Sequence, residues 1–170
     1  MKSMNHNMVF GFTTRRGLML DLDNTTLTEA TQIANKYMKR FGLQGYAIMR
    51  SSVNNYQVVF NRYMTWRHTL SCLFKIVWRY HFHEHNIHPG LTNWAMLQAC
   101  NGLMTLRISW KKRKKPPKVV KVVGKTDKLI SDYLITRQEV EKINSEPLIE
   151  RLERKELERE YGGEKYGETR

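Results

Sequence analysis

Between Leu18 and Phe60 the chain reads LMLDLDNTTLTEATQIANKYMKRFGLQGYAIMRSSVNNYQVVF, and the order of its patterns sets the fold class. A short apolar run ends at Asp21-Leu22-Asp23. One of Thr25, Thr26 and Thr28 then caps a predicted helix over Leu27–Phe41, which stops at Gly42. Ile33, Ala34, Tyr37, Met38 and Phe41 give that helix one apolar face. Two strands follow directly, YAIMRSS and NYQVVFNRY, joined by a turn near Val53-Asn54-Asn55. A hairpin straight after the helix argues against repeating βαβ units and for an antiparallel arrangement.

Working outward, MVFGFTTRRGLMLDLD predicts a first hairpin turning around Thr13 to Gly17. Downstream, TWRHTLSCLFKIVWRYHF predicts a long helix capped by Thr65, with Trp66, Leu70, Leu73, Phe74, Val77 and Trp78 inward. LTNWAMLQAC predicts a shorter helix, GLMTLRISWK and PKVVKVVG a further strand pair, and TDKLISDYLI a helix capped by Thr126 or Asp127. The sum is an α+β fold, hairpins and helices around a mixed or antiparallel sheet. The expected division is a basic domain over 1–136 and a charged, helical or disordered tail over 137–170, with EPLIERLERKELEREY as one solvated helix.

Charge is unevenly spread along the 170 residues. Residues 1–126 hold 20 Lys and Arg against 4 Asp and Glu, a balance of +16; residues 127–170 hold 9 against 12, a balance of −3. So basic a segment attracts polyanions, and nucleic acid, single-stranded DNA included, is the partner to expect. The acidic tail is expected either to bind a protein partner or to mask the basic face. No apolar run approaches the ~18 residues of a membrane span, and the opening residues lack the pattern of a signal peptide. Those features and two cysteines, Cys72 and Cys100, on apolar helical patterns predict a cytoplasmic protein with buried thiols.

The acidic pair admits three readings. Asp21 and Asp23 sit one residue apart, so on a strand both point to one side and can hold Mg²⁺ or Mn²⁺ for nucleotidyl transfer. Alternatively Asp21 is a phosphoryl-accepting nucleophile. Finally, the pair is structural, Asp23 capping the helix and Asp21 pairing with Arg15 or Arg16 across the first hairpin.

The ordered motifs GLMLDLD, YAIMRSSVNNYQVVF and GLMTLRISWKKRKKPPKVV resemble the archaeo-eukaryotic primases, in the small versions of archaeal plasmids, viruses and other mobile elements. The resemblance covers roughly residues 8 to 135. It implies a primase core with an RNA-recognition-like module and a replication protein that makes primers or extends strands. It also implies catalytic, metal-binding Asp21 and Asp23, and phosphate contacts from Arg50, Ser52, Gln57 and Arg107. This chain departs from the pattern twice: Gln57 stands where the family carries a nucleotide-binding His, and Leu106-Arg107 where it carries a third acid. The reading is thus of a divergent member, active or inactive.

LDLDNTT is also similar to the first motif of haloacid-dehalogenase-like phosphatases, which implies Asp21 as nucleophile, Asp23 as acid and base, and Thr25 on the phosphate. The later elements of that family are not found in order. A non-enzymatic basic DNA-binding module is the third functional class. Of the 6 His, four (His81, His83, His85 and His88) crowd into YHFHEHNIH. His81-Phe82-His83 superficially resembles the metal motif of rolling-circle nucleases, with Tyr133 the one candidate nucleophile. Its spacing fits no standard zinc set, and a polar helix end is the plainer reading.

Lys111, Lys112, Arg113, Lys114 and Lys115, followed by Pro116-Pro117 and Lys118, cannot face inward together. They predict an exposed finger that tracks phosphates, with Trp110 beside it to stack on a base or fill the core.

Overall fold

The computed structural model describes residues 9–82, 89–109 and 115–145, the side chains of 79–82, 89 and 143–145 excepted. Trp110 to Lys114, His83, His85, His88, the side chain of His81 and the tail from 146 lie outside the described residues. The fold is α+β. Its elements are β1 (Gly11–Thr14), β2 (Met19–Leu22), α1 (Leu27–Arg40), β3 (Gly45–Ser52) and β4 (Asn55–Phe60), then α2 (Trp66–Phe82), α3 (Pro89–Asn101), β5 (Met104–Arg107), β6 (Lys118–Gly124) and α4 (Leu129–Ser145).

Two antiparallel sheets form. The larger has the order β2-β4-β3-β6, and the smaller pairs β1 with β5. Two expected hairpins are therefore corrected: β1 does not pair with β2, nor β5 with β6. Both choose distant partners that cover apolar surface, such as Phe12 opposite Leu106. The parallel, doubly wound sheet implied by the phosphatase resemblance is not formed by these strands.

Helix α1 starts where its local chemistry dictates. The Thr26 hydroxyl accepts the Glu29 amide at 3.2 Å, and the Glu29 carboxylate accepts the Thr26 amide at 2.8 Å, a reciprocal capping box. Thr26, and not Asp23, is thus the cap. At the far end Gly42 takes φ +59, and the Leu43 amide reaches back to the Met38 carbonyl at 2.9 Å. Thr65 caps α2, its hydroxyl accepting the His68 amide at 3.3 Å. Helix α4 is capped from a distance: buried Asn61 accepts the Lys128 amide at 2.9 Å and donates to the Asp127 carboxylate at 2.9 Å. That bond holds the Asp127 carboxyl below its ordinary pKa.

Strand alternation sorts the main sheet into two buried faces. Leu20, Leu22, Val58, Phe60, Tyr46 and Ile48 form one, under α1, where the Tyr46 hydroxyl donates to Asn35 at 2.9 Å. Met19, Val59, Ala47 and Met49 form the other, under α4 and the small sheet. Both faces are covered over β2, β3 and β4, whereas β6 at the sheet edge leaves Val120 and Val122 exposed. Gly45 lets β6 approach: a Cβ there would stand 2.5 Å from the carbonyl oxygens of Val123 and Lys125.

Three further expectations are corrected. Phe74 and Trp78 on α2 are exposed, because the helix has a wider apolar stripe than its neighbours cover. Cys72 is half-buried and Cys100 exposed. Helix α4 runs unbroken through 137, with Val140 buried. None of the described helices is long and apolar enough to cross a membrane.

Candidate functional site

Strands β2 and β3 end, and β4 and β6 begin, at one edge of the main sheet. The chain is tightly tied there. Asn54 takes φ +55 in the β3–β4 turn, and its carbonyl accepts the Thr25 amide at 2.8 Å. The Asn55 side chain accepts the Asn24 amide at 3.0 Å and donates to the Ser52 hydroxyl at 2.6 Å. The segment that carries Asp23 is thereby fixed against the turn.

Beside this turn lies a cleft of about 1010 Å³. The end of β3 contributes Arg50, Ser51 and Ser52 to it, and the approach to β6 contributes Lys115 and Lys118. Helix α4 contributes Arg137 and Glu141. Four cations face one carboxylate, and Arg137 already leans on Glu141 at 3.5 Å while donating to the Pro117 carbonyl at 2.8 Å. Arg50 and Lys118 are register partners on adjacent strands, so their side chains emerge side by side. Such a concave surface, cationic on balance, focuses its potential on an incoming anion.

Arg107 stands behind the cleft in a different role from the phosphate contact expected of it. Its guanidinium donates to the carbonyls of Ser51, at 3.1 Å, and Lys115, at 3.0 Å, and also to that of Ser109. It thus ties together the two residues flanking 110–114 and holds both to the β3–β4 turn. Burial lowers its pKa, and nearby Tyr133 and Asp21 oppose that shift.

Gln57 also differs from its expected role. It is 2% exposed, and its amide oxygen accepts the Tyr133 hydroxyl at 3.4 Å. It lies beneath α4, out of reach of a phosphate. Burial drives the Tyr133 phenol above its ordinary pKa, so Tyr133 stays neutral as a donor. Asp21, half-buried, is the register partner of Gln57 and shares its face of the sheet. Its charge acts on both Tyr133 and Arg107. The expected ion pair of Asp21 across a first hairpin has no such hairpin to cross. Arg15 instead donates to the Gly102 carbonyl at 2.8 Å, and Arg16 lies over the Tyr63 ring at 4.9 Å.

Asp23 is exposed one residue beyond β2. Among the described residues no three His, Cys, Asp or Glu side chains converge to hold a cation. Asp21 and Asp23 would supply two carboxylates to a cation there, with no third acid grouped with them among the described residues.

The structure thus gathers Arg50, Ser52, Lys115 and Lys118 at one cleft and sets Gln57 and Arg107 behind it. Arg137 is the residue sequence reasoning missed. Its signal was a cation on the stripe that Ile130, Tyr133 and Val140 mark as inward. Compared with protein families, curated proteins and solved structures, the chain matches none.

Proposed function

We propose that this chain is a nucleic-acid-binding protein that lays a single-stranded phosphate backbone along the cleft of Arg50, Lys115, Lys118 and Arg137. The observation that carries the reading is the gathering of these four cations around one concavity, in a chain of net charge +13. Arg107 holds Ser109 and Lys115, which flank the basic run Lys111 to Lys114 in the sequence, beside the cleft. Contacts of this kind read charge and spacing, so little sequence preference is expected. Among the described residues four cations and no aromatic side chain line the cleft, so affinity comes from phosphates more than from stacked bases. A place in replication, as a divergent primase-like protein of a mobile element, rests on the motif resemblance.

The test is fluorescence anisotropy with a labelled single-stranded DNA across a salt series. Four phosphate contacts predict a slope of log affinity on log salt near −3, from about −0.7 per contact. A slope near zero, or equal affinity in Arg50→Glu/Lys118→Glu, would remove the cleft from the account.

A second reading, metal-dependent nucleotidyl transfer, draws support from one placement: Asp21 and Asp23 lie at the same edge of the sheet as the cleft. Crossing from β2 to β6 takes three strand spacings, about 14 Å. Incubation with labelled nucleotides, template and Mn²⁺ or Mg²⁺ tests it. Product made by the parent protein and lost in Asp21→Ala/Asp23→Ala supports transfer, and absence of product with unchanged DNA retention leaves a binding protein.

A further inference from the structure

A second groove lies at the opposite end of the sheet and is unlike the first. It runs along α2 from Arg67 to Trp78, eleven positions and about 16 Å, the length of three turns of a partner helix. Its volume is about 640 Å³. Leu70, Phe74, Val77 and Trp78 of α2 and Met96 of α3 make its walls. Phe74 is 53% and Trp78 59% exposed, a large aromatic area to leave in water.

The rim is cationic. Arg40, Arg67 and Lys75 border the groove, and Arg40 and Lys75 are shared with a smaller pit of about 230 Å³ that adds Arg62 and His68. No carboxylate lines either hollow among the described residues. Arg62 is held in place by donating to the carbonyls of Phe41, at 3.2 Å, and Gly42, at 3.1 Å, the C-terminal end of α1.

From this we propose that the α2–α3 groove is a docking site for an amphipathic helix of a partner protein, with leucine or aromatic side chains on one stripe and glutamate or aspartate on its flanks. Charge complementarity selects that occupant. A second copy of this chain would bring the same cationic rim against itself. A lipid surface suits a protruding apolar patch, whereas this one is concave. The apolar stripe of the incoming helix fills the groove at i, i+3, i+4 and i+7, and its carboxylates reach Arg67, Lys75 and the pit. The site stands apart from the phosphate cleft: Gly45 and Ser52, at the two ends of β3, are about 23 Å apart.

The experiment uses the full-length protein and a fluorescein-labelled synthetic helix with Leu and Phe on one stripe and Glu on both flanks. A control carries Lys for every Glu. Saturable micromolar binding of the acidic helix is expected, with the basic control at least tenfold weaker. Trp78→Ala and Phe74→Ala should each weaken binding about tenfold, and Arg67→Glu/Lys75→Glu at least as much. All four positions are exposed, so the fold should survive, as circular dichroism will verify. Arg50→Glu/Lys118→Glu should leave this binding unchanged. Equal binding of both helices, undiminished binding in the groove variants, or no saturation below millimolar concentration would overturn the proposal. So would displacement of the peptide by single-stranded DNA or anionic vesicles in a Trp78-dependent way, which would assign the groove to those ligands.

Discussion

The two ends of the main sheet carry the same sign of charge and differ in what surrounds it. At the Ser52 end four cations stand among Ser51, Ser52, Glu141 and the small apolar side chains of Val53, Pro116 and Val119. At the Gly45 end the cations frame leucine, valine and aromatic side chains. A phosphate backbone gains from the first and has no use for the second, because burying apolar surface needs an apolar partner. Net charge alone would assign one polyanion to the whole surface. The neighbours of each cation divide it.

The largest effect that would break this contrast is at the cleft. Arg50→Glu/Lys118→Glu should cut single-stranded DNA affinity by about 100-fold at low salt, because two attractions become two repulsions. Anisotropy reads the loss, and far-UV circular dichroism should be unchanged. If Arg67→Glu/Lys75→Glu cuts DNA affinity equally, the two ends are one surface.

Next comes stability at the Gly45 end. Asn61→Ala removes the cap of α4 and leaves the half-buried Lys128 amide without its acceptor, a loss of about 2 kcal/mol. The Tm should fall by about 4–8 °C while DNA affinity below the transition holds. A fall in affinity of comparable size would mean that this cap also sets the position of Arg137 in the cleft.

A smaller change sharpens the role of Arg107. Lysine keeps the charge and loses the fork that reaches three carbonyls. Arg107→Lys should lower DNA affinity about fivefold and speed tryptic cleavage within Lys111–Lys115. Unaltered cleavage would remove Arg107 as the tie.

The smallest effect is expected from Tyr133→Phe. It leaves the Gln57 oxygen without the phenol at 3.4 Å and should cost about 1 kcal/mol in urea unfolding, with DNA binding untouched.

What was legible in the chain was local. The start of α1 behind a threonine cap, its stop at Gly42 and the turn near Asn54 are fixed by neighbours a few residues away, and the structure has them where the residues predict; of the three candidate threonines it chooses Thr26, with Glu29 as the reciprocal partner. The partners of β1 and β5 were not legible, because each strand has the same alternation whichever strand it joins. The exposure of Phe74 and Trp78 was hidden for a related reason. An apolar stripe shows which face seeks cover, not how much cover arrives. Arg50, Ser52, Lys115 and Lys118 were singled out by residue type and turn position, and the structure brings them to one cleft. Gln57 was misjudged, since a lone amide in an apolar strand can face a buried hydroxyl as well as a ligand.

The pairing of β1 with β5 has a consequence in time. Its bonds close very long loops: Thr13 meets Thr105 across 92 positions, and the Phe10 amide meets Ser109 across 99. The β3–β4 hairpin closes over at most 14. By loop-closure entropy alone the small sheet begins at a disadvantage of roughly 1.5 kcal/mol. On a ribosome β1 must wait, fully synthesised and unpaired, until residue 107 has emerged. Phe12 spends that interval exposed, and the small sheet is the element expected to form last and to open first.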